Sequence, residues 1–361
     1  MAFNNMTVLA ALEEFDELCQ MLVLSSILER GLRPATSSSG KQQLNLLLLG
    51  KTGHGKSATG NSTLGRKEFR NCSSTSSVTS EVKCSQRMCG NYVVNVIDTP
   101  GLADTNFSKD SVMEIEQHIE NMKKAIRMSP GGIHAFLFVV SFGSRFTEEE
   151  RRCLHILKQI FGDDFMEDNG IIVFTHGDNF QQSMEDEETP NITFDTWCRK
   201  QGGAMGDLIT ECNNRCLLFN NREKDGGTVQ AQMEKLIGLV ERFASPYTLI
   251  DFILHESLRD KLIVEMKLPK MKEAFQKEID VLKLDINRRC RLGNVSLETF
   301  ILMAIQTDEL RCKILKEDRG TQVLSSIANQ LTAIRLQLVY DFERQEEARR
   351  RREKEDKCCI L

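Results

Sequence analysis

Apolar residues follow two different rhythms along this chain. Between residues 44 and 245, short apolar runs alternate with longer stretches in which apolar positions recur at three- and four-residue intervals. The runs at 44–49, 92–97, 135–140, 171–175 and 215–219 are the size of strands buried on both faces. Residues 111–127 and 148–161 read as amphipathic helices. The second opens on a capping box, Thr147 with Glu150, and repeats Leu154, Leu157, Ile160 and Phe161 along one face. Apolar strands separated by helices predict an α/β fold with a mostly parallel sheet, its ligands lying at the carboxyl ends of the strands.

After Tyr247 the strand rhythm fades. Met271, Phe275, Ile279, Leu282 and Ile286 recur at helical spacing. Further on, Leu324, Ile327, Leu331, Ile334 and Leu338 follow a three-four alternation. The stripe is expected either to fold back on the sheet or to form a coiled-coil-like contact. At the other end, residues 8–28 form one amphipathic pattern, closed by Gly31, Pro34 and a Ser/Gly linker at 37–40. The expected organisation is a helical N-terminal extension and linker at 1–43, an α/β domain at 44–245 and a helical C-terminal region at 246–361.

Composition narrows the function class. A net charge of −5 argues against a nucleic-acid-binding surface. Twelve cysteines are scattered without CxxC pairs or Cys/His metal spacing, which reads as reduced thiols in a cytoplasmic protein. The first residues are acidic (Glu13, Glu14, Asp16, Glu17), unlike a secretory signal, and no apolar run approaches the roughly 20 residues of a membrane span.

The candidate chemistry begins at the octamer Gly50, Lys51, Thr52, Gly53, His54, Gly55, Lys56, Ser57, which fits the phosphate-loop pattern G-x-x-x-x-G-K-[ST]. A strand precedes it and a helix begins at Ser57 and Ala58, the order this chemistry requires. Glycines let backbone N–H groups turn around an anion. Lys56 is expected on the β- and γ-phosphates and the Ser57 hydroxyl on Mg2+. The strand 92–97 ends in Asp98-Thr99-Pro100-Gly101. Asp98 is placed to hold the metal shell, and the Gly101 N–H to sense a γ-phosphate. Among Ser76, Ser77 and Thr79 in the polar loop between the two motifs, Thr79 is the expected third metal contact.

Base recognition is expected at the end of the strand 171–175, which runs into Thr175-His176-Gly177-Asp178-Asn179. A guanine presents two adjacent donors to a carboxylate, and adenine lacks that pair. Asp178 fits, and Asn179 is the alternative one position on. Thr175-His176 or His176-Gly177 stand where GTPases place Asn-Lys, with His176 able to stack on the base. Asn220 and Asn221, after the strand 215–219, are expected to offer an amide to the base.

Together these segments resemble the GIMAP family, immunity-associated GTPases related to septins and to the chloroplast-import GTPases. The residues that carry the resemblance are the run from Gly50 to Gly65, Asp98 to Leu102, the box Gly132-Ile133-His134-Ala135-Phe136 through Phe146-Thr147-Glu148-Glu149, and the segments ending in Asp178 and Asn221. It spans about residues 44–245. It implies a P-loop GTPase fold that binds GTP or GDP with Mg2+ and forms a nucleotide-dependent homodimer through its nucleotide face.

Turnover is expected to be weak. Small GTPases carry a water-orienting Gln directly after the glycine of this motif, and Leu102 stands there. Two readings follow: a GTPase stimulated by dimerisation, with Arg87, Arg145 or another residue delivered in trans, or a GTP-dependent scaffold with negligible turnover. An ATP-binding P-loop protein is the weaker third. The final residues Cys358, Cys359, Ile360 and Leu361 fit a C-a-a-X prenylation signal on Cys358, behind a polar tail at 343–357, which predicts an anchor on the cytosolic face of a membrane.

Overall fold

The computed structural model describes residues 41–69, 81–102, 112–186, 192–291 and 295–358. The chain divides into two compact units, one ending at Glu256 and one beginning at Ser257. The N-terminal amphipathic pattern and Ser76, Ser77 and Thr79 lie outside the described residues, as do Cys359, Ile360 and Leu361.

The first unit is built on a six-stranded sheet. Its strands are β1 (Gln42–Leu49), β2 (Lys83–Cys89), β3 (Tyr92–Asp98), β4 (Ala135–Ser141), β5 (Gly170–Thr175) and β6 (Cys216–Leu218), in spatial order β2-β3-β1-β4-β5-β6. All neighbours are parallel except β2, which pairs antiparallel with β3 on the edge. Each expected strand is present. The ladder bonds around β6 reach Arg215 O and Phe219 N, the full run read from sequence. Leu46, Leu47, Leu48 and Leu49 are all buried because helices cover both faces of a parallel sheet, so the strand needs apolar residues at every position. Burial contributes about 1.5–3 kcal/mol for each such side chain.

The sequence pattern missed β2. Its residues, Lys83-Cys84-Ser85-Gln86-Arg87-Met88-Cys89, are mostly polar and partly exposed, as an edge strand with a solvated face permits. It is joined to β3 by the tight turn at Gly90, φ +57°.

Helices of this unit are α1 (Lys56–Leu64), α2 (Val112–Arg127), α3 (Glu148–Phe161), α4 (Phe165–Asn169), α5 (Gly177–Asp186), α6 (Phe194–Arg199), α7 (Gly203–Glu211), α8 (Gly226–Val240) and α9 (Leu249–Leu254). The capping box of α3 forms as expected. Thr147 Oγ1 accepts from Glu150 N at 3.4 Å, and Glu150 Oε2 accepts from Thr147 N at 2.6 Å.

The expected boundary at 245 falls short of the end of this unit. Tyr247 forms a backbone bridge to Ile133, with bonds of 2.7 and 2.8 Å. Its ring joins a cluster with Phe136 and Phe161, and Phe161 in turn reaches Phe252. These aromatic contacts hold the segment through α9 to the sheet domain.

The second unit consists of α10 (Glu256–Arg291), α11 (Leu297–Asp318) and α12 (Ser325–Cys358). Phe275 and Ile279 of α10, Ile314 of α11, and Ile327 and Leu331 of α12 share one core, with Leu324 just ahead of α12. Ile286, Phe300, Met303 and Leu338 form a second core. The three-four stripe at 324–338 thus closes a bundle within its own unit. The segment expected as a polar tail is helical through Cys358. It carries same-helix ion pairs from Arg349 to Glu346 and from Arg351 to Glu347, the three- and four-residue spacing that supports an exposed helix. No helix among the described residues is long and apolar enough to cross a membrane.

Candidate functional site

The sheet register gathers the predicted motifs at one edge. Leu48 of β1 lies beside Asp98 of β3, Leu49 beside Phe138 of β4, Ser141 of β4 beside Thr175 of β5, and Phe174 beside Leu218 of β6. Every candidate loop therefore leaves the sheet at its carboxyl end, where parallel α/β sheets bind ligands.

Residues 50–55 turn from β1 into α1. Gly50 has φ +128°, and a Cβ there would lie 2.6 Å from Val139 O, so only glycine fits between the neighbouring strands. Gly53 and Gly55 are also left-handed, and α1 starts at Gly55 without a side-chain cap, leaving its first N–H groups to an incoming anion. Lys56 is only 7% exposed, and its Nζ donates to Lys51 O at 3.0 Å, which curls the loop around the ammonium. Burial lowers its pKa, and the nearby Asp98 carboxylate opposes that shift. The Thr52 hydroxyl is buried in the same cradle without a hydrogen-bond partner.

Asp98 reaches the cradle from β3. Its Oδ2 accepts from Ser57 Oγ at 2.6 Å, while Thr99 Oγ1 donates to Leu48 O at 2.7 Å and fixes the strand end. Gly101 packs so closely that a Cβ would stand 2.4 Å from Thr52 Oγ1 and 2.8 Å from Lys56 Nζ. Leu102 is buried behind it.

A hydroxyl and a carboxylate, both hard oxygen donors, converging beside a buried ammonium suit a Mg2+ ion held with a nucleotide phosphate. Ser57 and Asp98 would hold that ion. Thr79, the third expected contact, lies outside the described residues.

Other expected site residues act through different atoms than their motif positions suggest. The Lys51 side chain pairs with Glu149, and His54 Nδ1 lies 3.3 Å from Glu150 Oε1. Both acids belong to the first turn of α3, so the capping box that starts that helix also holds the phosphate loop. Sequence patterning identified Glu150 as a cap but missed this second contact, because it is made across 96 positions of chain. Thr175 Oγ1 donates to His54 O at 3.1 Å and Val140 O at 3.3 Å, bracing the loop from β5.

His176 adopts φ +59°, an unusual conformation for a residue other than glycine, and turns the chain into α5. Asp178 sits in the first turn of that helix. Its Oδ1 is enclosed with no hydrogen-bond partner, and its Oδ2 lies 3.6 Å from Arg222 Nη1. Asn179 is exposed, and its backbone closes the turn onto His176 O.

The asparagine pair is already engaged. Asn221 Nδ2 donates to Thr59 Oγ1 at 3.1 Å, and its Oδ1 accepts from Ser62 Oγ at 2.8 Å, clamping α1 to the loop after β6. Asn220 Oδ1 accepts from Arg222 N at 3.0 Å, and the Asn220 backbone N–H donates to Gln232 Oε1 at 2.7 Å. These bonds hold the loop after β6 against α1 and α8.

Two arginines were candidates for delivery in trans. Arg87, on the edge strand β2, donates to Thr63 O of α1. Arg145 is exposed on the loop after β4, where it lines a cleft of about 490 Å³ with Phe142, Phe146 and Trp197.

His118 of α2 lies in the field of Lys56. Burial and that charge hold its pKa at about 4, and its Nδ1 is enclosed without a partner. His134 is also pushed down by burial. Its Nδ1 accepts from Asn45 N at 3.1 Å, inside a network in which Asn45 Nδ2 donates to Pro130 O and Gly132 O.

The sequence model of the AIG1 family matches residues 44–248 of the chain. Immune-associated nucleotide-binding protein 9 of Arabidopsis thaliana is 36% identical over 262 residues, covering 70% of this chain and 71% of the relative. Immune-associated nucleotide-binding protein 7 of the same plant is 34% identical over 206 residues, 56% of this chain and 61% of the relative's length. Among solved structures, Toc33 from Arabidopsis thaliana in complex with GDP and Mg2+ aligns at a TM-score of 0.41 with 19% identity, covering 57% of this chain and 88% of that one.

Proposed function

The chain belongs to the AIG1 family, and we propose that it is a guanine-nucleotide-binding protein that takes GTP or GDP with Mg2+ at the carboxyl edge of its sheet. One observation carries this reading: the convergence of the buried Lys56 ammonium, the Ser57 hydroxyl and the Asp98 carboxylate around the glycine loop. Lys56 supplies charge to the phosphates, the uncapped start of α1 supplies N–H donors, and Ser57 with Asp98 supplies oxygen ligands. The bound ion would neutralise phosphate charge. Guanine rather than adenine is favoured by Asp178, whose enclosed, unpartnered Oδ1 suits the base's paired donors better than the exposed Asn179.

Slow turnover goes with this reading. The buried Leu102 has no group to orient a water, so hydrolysis would need a partner's contribution. Arg145 is exposed beside the nucleotide edge, whereas Arg87 of the edge strand donates to Thr63 O of α1. Dimerisation through the nucleotide face is the arrangement in which Arg145 would act. A GTP-dependent scaffold with negligible turnover differs in one readout: its specific activity stays flat and near zero as protein concentration rises. Prenylation of Cys358 would give the dimer two lipids on one membrane surface, stronger than one chain alone. Fractionation of wild type against Cys358→Ser, with a lipid mass shift on the wild type, tests the anchor.

The nucleotide reading is tested by calorimetric titration of GTP, GDP and ATP with and without Mg2+. Guanine nucleotides are expected to bind and ATP not to compete. Lys56→Ala should abolish tight binding, and unchanged affinity in that variant overturns the assignment.

A further inference from the structure

We infer that the outer face of α11 is a self-association surface that pairs with α11 of a second copy of this chain in an antiparallel, two-fold arrangement. One side of α11 is used inside its own bundle, where Phe300, Met303 and Ile314 are buried. The opposite side is exposed yet carries large aliphatics: Leu297 at 54% exposure, Ile301 at 50%, Leu302 at 46% and Ile305 at 48%. Single exposed aliphatics are ordinary, but four within nine residues on the face away from the core make a patch of the kind that marks a contact.

The spacing says what fits it. Along the line farthest from the buried side run Glu298, Leu302, Ile305, Glu309, Cys312 and Lys316, at intervals of four, three, four, three and four. These are the intervals of a helix-pairing seam, and they read the same in both directions. An antiparallel copy therefore lays the seam on itself. Leu302 then faces Cys312 and Ile305 faces Glu309 of the other copy, with the two Ile305 side chains flanking the axis. Glu298, in the first turn, faces Lys316, in the last turn, and the two-fold axis makes that complementary pair twice. A parallel copy would place Glu298 on Glu298 and Lys316 on Lys316. Beside the seam, Lys313 pairs with Glu278 and Arg335 with Asp308 within the unit. Cys312 is an exposed free thiol, so it reports the contact directly.

This surface lies outside the nucleotide site, so a protein that associates through both two-fold contacts builds an assembly larger than a dimer, closed where the two axes intersect at a suitable angle and an open chain where they do not. The test is done in the Lys56→Ala background without nucleotide, which separates it from the nucleotide-dependent contact. Sedimentation at micromolar concentrations should show a dimer. The pair Leu302→Glu with Ile305→Glu should give a monomer with unchanged helical circular dichroism. Glu298→Lys alone and Lys316→Glu alone should each weaken the dimer about five-fold, and the two together should restore it. Leu302→Cys should form a disulfide with Cys312 of the other copy when an oxidant such as oxidised glutathione accepts the two electrons, mapped by peptide mass spectrometry. A monomeric parent, or charge swaps that fail to rescue one another, overturns the proposal, including the case in which residues 1–40 cover the face instead.

Discussion

The Ser57 hydroxyl donates to Asp98 Oδ2 at 2.6 Å, joining the first turn of α1 to the end of β3. The bond spans 41 residues of sequence and exists because the register of β1 with β3 sets Leu48 beside Asp98. Both oxygens are hard donors, so the pair is also the means by which nucleotide affinity would depend on Mg2+. Asp98→Asn should remove most of that dependence, with Mg2+ strengthening GTP binding at least about ten-fold less than in wild type. Titration of Mg2+ at fixed nucleotide reads this directly.

Gly101 lies against the phosphate loop without room for a methyl group. In Gly101→Ala the new carbon meets Thr52 Oγ1 and the Thr52 backbone nitrogen, which cannot both retreat. A steric cost of about 1–3 kcal/mol, realised at the cradle, should weaken GTP binding by roughly ten- to one-hundred-fold. Calorimetry against wild type measures it. An unchanged affinity would mean the loop yields freely.

Asp178 and Asn179 differ in what surrounds them, and the base should discriminate between them. Asp178→Asn exchanges an acceptor for a donor at the enclosed position and should shift preference from guanine toward xanthine nucleotides by about a hundred-fold or more. Asn179→Ala should leave preference unchanged. Competition between GTP and xanthosine triphosphate decides it, and the opposite pattern would move the base contact to Asn179.

Acid should weaken the fold before carboxylates titrate. His118 and His134 both have folded pKa values below the usual 6.5, so the unfolded chain takes up protons that the folded chain does not. Their contribution is complete above about pH 6.5 and is lost as pH falls, for His118 toward about 4. Each contributes a slope of up to about 1.4 kcal/mol per pH unit in that window. Thermal melts between neutral pH and pH 5 should show Tm falling, with a shallower fall in His118→Gln.

Much of the sheet domain was legible in the sequence because its signals are local. Leu46 to Leu49 had to be apolar at every position once the strand was covered on both faces. The glycine loop had to follow a strand, and Thr147 with Glu150 announces the start of α3 within four residues. Contacts between distant segments left no such mark. The polar strand β2 is recognisable only by the partner it pairs with. Asn221 looked like a free amide until Thr59 and Ser62 of α1 closed on it. Lys51 and His54 sit in a phosphate motif, yet the fold turns their side chains to Glu149 and Glu150. Tyr247 joins the sheet domain because its backbone meets Ile133 and its ring meets Phe136 and Phe161. Local periodicity marked the buried strands and the amphipathic helices. Tertiary packing alone decided which polar groups stay available to a ligand, because a side chain is available only when no distant segment reaches it first.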